Sequence, residues 1–313
     1  MNERPSVAIL GAGMAGATVA RRIAEAGWHV RVFDKGRGVG GRMSTRHTHA
    51  MQFDHGAQFM RARGETFAAR LAGWDRRGIV ASWAGAGRRV GVPGMTAPVR
   101  DLLGDLPVAS GTTIVRIGRD RAGWRLTDSA GANQGPFAAL AIAIPAPQAA
   151  ALLDASGLAL PGVEQAAYAP CWSLMLAVEN APGDVLIEPQ EGPVGLIALD
   201  SSKPGRPAGA RLTLHATRSW SRAHLEAPCE AIVDALTRAA GECLGAPLRP
   251  AYAEAHRWRY AQVETALGRP CLYDPGLRLG AAGDWCLGPR IEAAHDSGLA
   301  LAEAILADLS ASA

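Results

Sequence analysis

Lysine is nearly missing from this chain. Lys35 and Lys203 are its only lysines among 32 basic residues, so a site that needs a lysine amine has few places to stand. Tyrosine is scarce as well, with four residues dispersed along the chain. The five cysteines, Cys171, Cys229, Cys243, Cys271 and Cys286, are odd in number and show no CxxC or metal-ligand spacing. That pattern predicts free thiols in a reducing compartment and no metal site. No window approaches the roughly 18 apolar residues of a membrane-spanning helix, and the apolar run before Gly11 is too short for a signal peptide. The net charge of +3 is too small to imply a nucleic-acid or anionic-membrane partner. A cytoplasmic protein is expected. No internal repeat or low-complexity tract interrupts the chain.

What is present begins at Val7. Val7-Ala8-Ile9-Leu10 has the length and composition of a buried parallel strand. Gly11-Ala12-Gly13-Met14-Ala15-Gly16 follows at once, then a helical stretch with Val19, Ala20, Ile23 and Ala24 on one face. Gly27 ends it, and Val30-Arg31-Val32-Phe33 reads as a second strand ending at Asp34. This is a β-α-β dinucleotide unit. Gly11 permits the tight turn, Gly13 lets backbone approach a pyrophosphate, and Gly16 lets helix and strand pack closely. The helix start offers free N–H groups to phosphate, and Asp34 can accept from a ribose. A second glycine-rich segment, Gly36 to Met43, follows directly; its Arg42 can reach a phosphate oxygen as a charged donor.

Further along, Gly56 and Ala57 are small enough for backbone to lie against a flat ring system. Residues 61–77 predict an amphipathic helix with a basic solvent face, and Val80 to Val92 a hairpin. Helices are expected at Ala97–Leu106 and Ala227–Leu244. Strands are expected at Thr112–Ile117, Trp124–Thr127 and Ala138–Ile144, the last a buried parallel strand returning to the first sheet. Longer, more alternating strands follow at Cys171–Val178, Val194–Leu199, Arg211–Ala216 and Ala251–Trp258. Leu277 to Asp284 reads as a strand ending in Gly283-Asp284, leading to a final helix that starts near Arg290-Ile291-Glu292 and runs to about Leu309. Asp284 could accept from a hydroxyl of a bound cofactor, and the helix start would favour negative charge on it. Trp258 and Tyr260, two apart on a strand, share one face and are the pocket candidates. His215 and Arg259 are weaker pocket candidates, with a structural role the preferred reading.

Several stretches together resemble the renalase family, a branch of the amine oxidase superfamily: GAGMAG at 11–16, DKGRGVGGRMST at 34–45, DHGAQF at 54–59, VPGM at 92–95, LIALDSSKPGR at 196–206, HRWRYAQV at 256–263 and GDW at 283–285. The first two belong to the superfamily at large. The resemblance implies an α/β protein with a Rossmann-type FAD-binding domain and a second α+β substrate domain with a largely antiparallel sheet. The expected division is 1–60, 93–146 and 271–313 for FAD, with 61–92 and 147–270 for substrate. It implies non-covalent FAD, with contacts at Ala15, Asp34, Arg42, Ala57, Gln58 and the 283–292 segment. The full expected cofactor set adds Gly11, Gly13, Met14, Gly16, Lys35, Gly41, Met43, Gly56, Val115, Gly283, Asp284, Arg290, Ile291 and Glu292. Cys286 is expected to be a free or packed thiol. The implied activity is oxidation of 2- or 6-dihydro-NAD(P) to NAD(P)+, with oxygen reoxidising the flavin to give hydrogen peroxide. No catalytic base is expected. The alternatives are an amine oxidase, disfavoured by the scarcity of lysine and tyrosine, an NADPH-dependent flavin monooxygenase, and a non-catalytic flavin sensor.

Overall fold

A computed structural model describes residues 6–48, 51–179 and 183–311. Its first sheet runs, from edge to edge, Leu272–Asp274, Leu279–Ala281, Ala139–Ile142, Ser6–Leu10, His29–Asp34 and Val108–Ser110. All neighbours are parallel except the antiparallel edge pair Leu272–Asp274 with Leu279–Ala281. Such a sheet is covered on both faces, which explains the unbroken apolar runs. Val7, Ile9, Ala139 and Ala141 face helices Met14–Glu25 and Ile291–Ala311 through Val19, Ile23, Leu301 and Ile305. Ala8, Leu10, Leu140 and Ile142 face the other way, onto Ile117, Trp124, Leu126 and Phe137 of a three-stranded antiparallel sheet, Ile114–Asp120, Gly123–Asp128 and Asn133–Phe137. Each such Leu, Ile or Phe contributes on the order of 1.5–3 kcal/mol by leaving water.

The chain leaves Ser6–Leu10 toward one side, through His29–Asp34, and returns on the other at Ala139–Ile142. The carboxyl ends of Ser6–Leu10 and Ala139–Ile142 therefore straddle the point where strand order reverses, where open α/β sheets bind ligands.

The second sheet is antiparallel throughout. Its order is Leu186–Ile187, Val194–Leu199, Ala210–Ala216, Ala167–Val178 and Pro250–Thr265. One face carries Trp172, Leu174, Leu176, Leu212 and Leu214 against Ile232, Leu236 and Ala240 of helix Cys229–Leu244. By the period of two, the opposite face carries Ser173, His215 and His256, which lie side by side across three strands.

Boundaries moved where tertiary structure prevails over local pattern. The 61–77 helix begins at Glu65, because Arg63 and Gly64 give their N–H groups to Glu292 at 2.8 and 2.7 Å. The Ala97 helix stops at Leu103, where Gly104 takes φ +51°. The strand expected to end at Trp258 continues to Thr265, paired along its length with Ala167–Val178. Helix Ala146–Ala155 lies between the expected strands Ala138–Ile144 and Cys171–Val178, where no element was expected. Among the described residues no helix is long and apolar enough to cross a membrane.

Candidate functional site

A cavity of about 1290 Å³ opens at the strand-order reversal, larger than the roughly 300–1,000 Å³ of an ordinary small-ligand pocket. Its floor is the glycine turn. Gly11 has φ +104°, and a Cβ there would lie 2.5 Å from the Ala143 carbonyl oxygen. Gly16 does not line the cavity; a Cβ on it would stand 1.9 Å from the Gly11 carbonyl oxygen, so it sets how closely helix meets strand. The Gly13 N-cap has no side chain bonding the first turn of helix Met14–Glu25. The leading N–H groups at Met14 and Ala15, which line the cavity, are left for an anion, with the positive helix end behind them.

The second glycine segment closes over the first. Gly40 N–H donates to Ala12 O at 2.8 Å, and a Cβ on Gly41 (φ +54°) would touch Gly13 Cα at 3.4 Å. Asp34 ties both segments together: its oxygens accept from the Ala12 and Gly36 N–H groups, each at 2.6 Å. A carboxylate has about four acceptor sites, so Asp34 keeps capacity for a ribose. Lys35, Gly41 and Met43 line the same end, and Val115, 44% exposed, lies at its rim.

Arg42 and Asp284, 242 positions apart, form a bidentate pair at 2.8 and 2.6 Å, and Arg42 also donates to Ala261 O at 3.2 Å. Burial opposes the Arg42 charge, but the Asp284 carboxylate outweighs it and holds the guanidinium above its ordinary pKa. The two residues expected to meet a phosphate and a cofactor hydroxyl separately thus meet each other beside the cavity. Gly56 is required at its position, since a Cβ there would lie 2.0 Å from the Arg42 carbonyl oxygen. Ala57 N–H donates to that same oxygen at 2.8 Å. Gly283, Arg290 and Ile291 line the cavity from the C-terminal segment.

Besides Gly16, two expected cofactor residues do not line the cavity. Glu292 is buried and receives the Arg63 and Gly64 N–H groups, pinning the entry to helix Glu65–Arg76. Gln58 is buried behind the wall. Its amide nitrogen bonds the Asp54 and Gly56 carbonyls, and its oxygen accepts from Lys203 Nζ at 2.8 Å. Cys286 is buried and free, and burial pushes its thiol up to about 12.

Lys203 is fully buried, between Asp54 and Asp200, with the Arg206 guanidinium also on Asp54. The four charges sum to zero. Burial would raise Asp54, but Lys203 and Arg206 hold it down at about 2. Burial and the Asp54 charge leave Asp200 raised despite Lys203. Neither Lys203 nor its carboxylates line the cavity.

Away from the glycine cradle the wall is aromatic and polar; its charged side chains, Arg46, Arg257 and Arg259, are all cationic. Trp258 and Tyr260 line it, as do His55, His215 and His256. Trp258 Nε1 donates to His55 O at 2.9 Å, and the His55 ring lies 4.9 Å from His256 and 5.1 Å from Trp258. Burial, then the neighbouring His256 and Arg46, pull His55 down to about 3. Burial and Lys203 pull His215 down to about 4. Burial and Arg46 lower His256. All three imidazoles are neutral near pH 7. His55 and His256 were not singled out from sequence. The signal was available: the alternation that placed Trp258 and Tyr260 on one face, carried back two residues, reaches His256.

This arrangement predicts acid lability. A histidine whose folded pKa lies below its unfolded value near 6.5 stabilises the fold fully above pH 6.5, and that contribution is lost as pH falls toward the folded pKa. Asp54 adds a loss between about 3.8 and 2; Asp200, shifted up, acts in the opposite sense. The urea midpoint is expected to fall steadily from pH 6.5 to 4, and His55→Gln to flatten that slope. A midpoint constant over this range would show that the imidazoles are not held neutral.

Comparison with known proteins adds three findings. Residues 9–71 match the NAD(P)-binding Rossmann-like domain. A phytoene desaturase of Cercospora nicotianae is 33% identical over 81 residues, which cover 25% of this chain and 13% of that protein. Over the whole chain the likeness is one of fold. A protein described as a protoporphyrinogen oxidase from Exiguobacterium sp. 255-15 superimposes with TM-score 0.77 at 11% identity, covering 99% of this chain and 100% of its own. A triple mutant of putrescine oxidase gives 0.74 at 12%, covering 97% and 99%. The cyclohexylamine oxidase of Brevibacterium oxydans IH-35A gives 0.68 at 14%, covering 98% and 100%. The mixed α/β architecture, with a Rossmann-type sheet and a largely antiparallel second sheet, is the one these oxidases share.

Proposed function

We propose that this chain is an FAD-dependent oxidoreductase of the amine oxidase superfamily that oxidises dihydronicotinamide isomers, the 2- or 6-dihydro forms of NAD(P), to NAD(P)+, as renalase-like enzymes do. The uncapped helix start, the paired glycine segments and Asp34 fit an adenine dinucleotide. The cavity extends past that cradle to a second wall, leaving room for a further flat ring. The observation that carries the substrate reading is that wall. It offers three neutral imidazoles and the rings of Trp258 and Tyr260. The acids lining the cavity, Asp34 and Asp284, are both already bonded. A cationic amine would find no free carboxylate there, whereas an uncharged dihydropyridine needs none.

FAD supplies a hydride acceptor and, through oxygen, an outlet for the electrons as hydrogen peroxide. The protein's part is placement. Met14 and Ala15 would hold the pyrophosphate by backbone N–H groups, and Asp34 the ribose. Arg42 with Asp284 and the small residues Gly56 and Ala57 would border the ring system. Loss of hydride leaves the substrate an aromatic pyridinium, so no side chain must remove a proton. Trp258 and Tyr260 would flank the donor ring and exclude water.

The test is anaerobic mixing of the FAD-loaded protein with 2-dihydro-NAD(P), 6-dihydro-NAD(P), ordinary NAD(P)H and a panel of amines, following loss of the visible flavin absorption. Rapid bleaching by a 2- or 6-isomer is the expected result. Bleaching by amines alone would make the chain an amine oxidase, and bleaching by ordinary NADPH alone would indicate a monooxygenase. Protein that takes up no FAD would remove the cofactor assignment itself.

A further inference from the structure

Strand Pro250–Thr265 presents Tyr252, Glu254, His256 and Trp258 on one face, at alternate positions. A continuous polar chain runs along the first three. The Tyr252 hydroxyl donates to Glu254, and Arg46 is ion-paired with the same carboxylate. The other arm of the Arg46 guanidinium reaches His256 Nδ1 at 3.4 Å. Tyr252 is itself fixed by stacking on the buried Phe53 ring, centroids 5.6 Å apart.

This chain decides which nitrogen of His256 carries its proton. Arg46 can only donate, so Nδ1 must accept, and the single proton of the neutral imidazole is left on Nε2. The ring lines the cavity and is held edge-on between the Trp258 ring at 4.5 Å and the His55 ring at 4.9 Å. It is therefore a fixed, uncharged N–H donor beside two aromatic surfaces. Such a donor suits a neutral carbonyl attached to a flat ring. A neutral pair of this kind leaves no charge stranded out of water, and it orients the ring by a substituent that does not react.

We propose that His256 binds the carboxamide oxygen of the nicotinamide ring through Nε2–H, and that Arg46 is the positioning residue that sets its tautomer. The assignment rests on the dihydronicotinamide reading above. It goes further in stating which feature of the ring is recognised and by which atom.

Equilibrium dialysis of the FAD-loaded protein at pH 8 tests it with two oxidised dinucleotides: NAD+ and the analogue that carries pyridine without the carboxamide. The wild type is expected to bind NAD+ roughly 3- to 10-fold more tightly, the value of one neutral hydrogen bond. His256→Leu is expected to bind the two alike, and His256→Gln, which keeps an N–H at the outer position, to restore the preference. Arg46→Leu should weaken the preference and Arg46→Lys, still a donor to Nδ1, should recover it; a merely structural role for Arg46 would shift both ligands together. KM for the reduced substrate should follow the same order while the limiting rate of flavin bleaching changes less.

A His256→Leu protein that still prefers NAD+ would overturn the assignment. So would a wild type that binds both ligands equally, or a variant that shifts the flavin absorption while preserving the preference, since His256 would then touch the cofactor. If the wild-type flavin is bleached by a dihydronicotinamide in any of these cases, this inference alone falls. If no dihydronicotinamide bleaches it, the functional reading and the inference fall together.

Discussion

Lys203→Met is expected to destabilise the protein by about 3–5 kcal/mol, the cost of leaving a buried charge without its partner. Lys203 holds Asp54 and Asp200 where none of the three side chains meets solvent. Removing the ammonium leaves two carboxylates against the single charge of Arg206. Asp200, already raised by burial and now without its ion-pair partner while Asp54 keeps Arg206, would have to take up a proton or draw in water. The cluster also joins distant parts of the chain. Asp54 accepts from Thr45 Oγ1 at 2.7 Å and from Met95 N–H at 2.9 Å, and its own N–H reaches Asp200 at 3.1 Å. The loop leading to Gly56 and Ala57, at the cavity wall, is anchored by these contacts. Urea unfolding measures the effect, and the double variant Lys203→Met/Asp200→Asn provides the control. It returns the cluster to one cation and one anion, and is expected to recover a substantial part of the loss. If the single variant unfolds at the wild-type midpoint, the four groups are not charged as assigned.

The second large effect separates two glycines of one motif. A Cβ on Gly16 would lie 1.9 Å from the Gly11 carbonyl oxygen, whereas one on Gly13 would meet nothing closer than the Gly40 carbonyl at 4.0 Å. Gly16→Val is therefore expected to push the helix off the strand and to yield colourless, insoluble or poorly folded protein. Gly13→Ala is expected to fold, with stability within about 1 kcal/mol of wild type, as for an exposed N-cap change. It should nevertheless lose most of its flavin, because the new methyl group occupies the approach that a pyrophosphate needs. Thermal melts of the apoproteins, together with the ratio of visible to ultraviolet absorption after loading with FAD, distinguish the two. Equal flavin content in Gly13→Ala and wild type would mean that the pyrophosphate does not pass over Gly13.

How much of this could be read beforehand depended on distance along the chain. Strand, glycine turn, helix and second strand lie within Val7 to Asp34, and each is written in local terms: an apolar run, residues without Cβ, a 3.6-residue period. The buried return strand at Ala139–Ile142 was legible for the same reason, since a strand covered on both faces has no polar alternation. Trp258 and Tyr260 followed from a period of two. Glu292 was expected at the cofactor through the N–H groups of its helix start, and what its side chain does was not legible. Only the fold shows that it caps the backbone of Arg63 and Gly64.

Sequence by itself thus determined that a dinucleotide cradle exists, which glycines build it, and that two kinds of sheet occur. It could not determine that Arg42 clasps Asp284, that Lys203 is locked between Asp54 and Asp200, or that Arg46 reaches His256. Those pairings join residues from 149 to 242 positions apart, except for the local link between Asp200 and Lys203. They depend on strand register and on where segments cross, and local periodicity carries no information about either. Tertiary structure alone brought three weakly basic rings to one cavity wall and excluded enough water to keep them neutral.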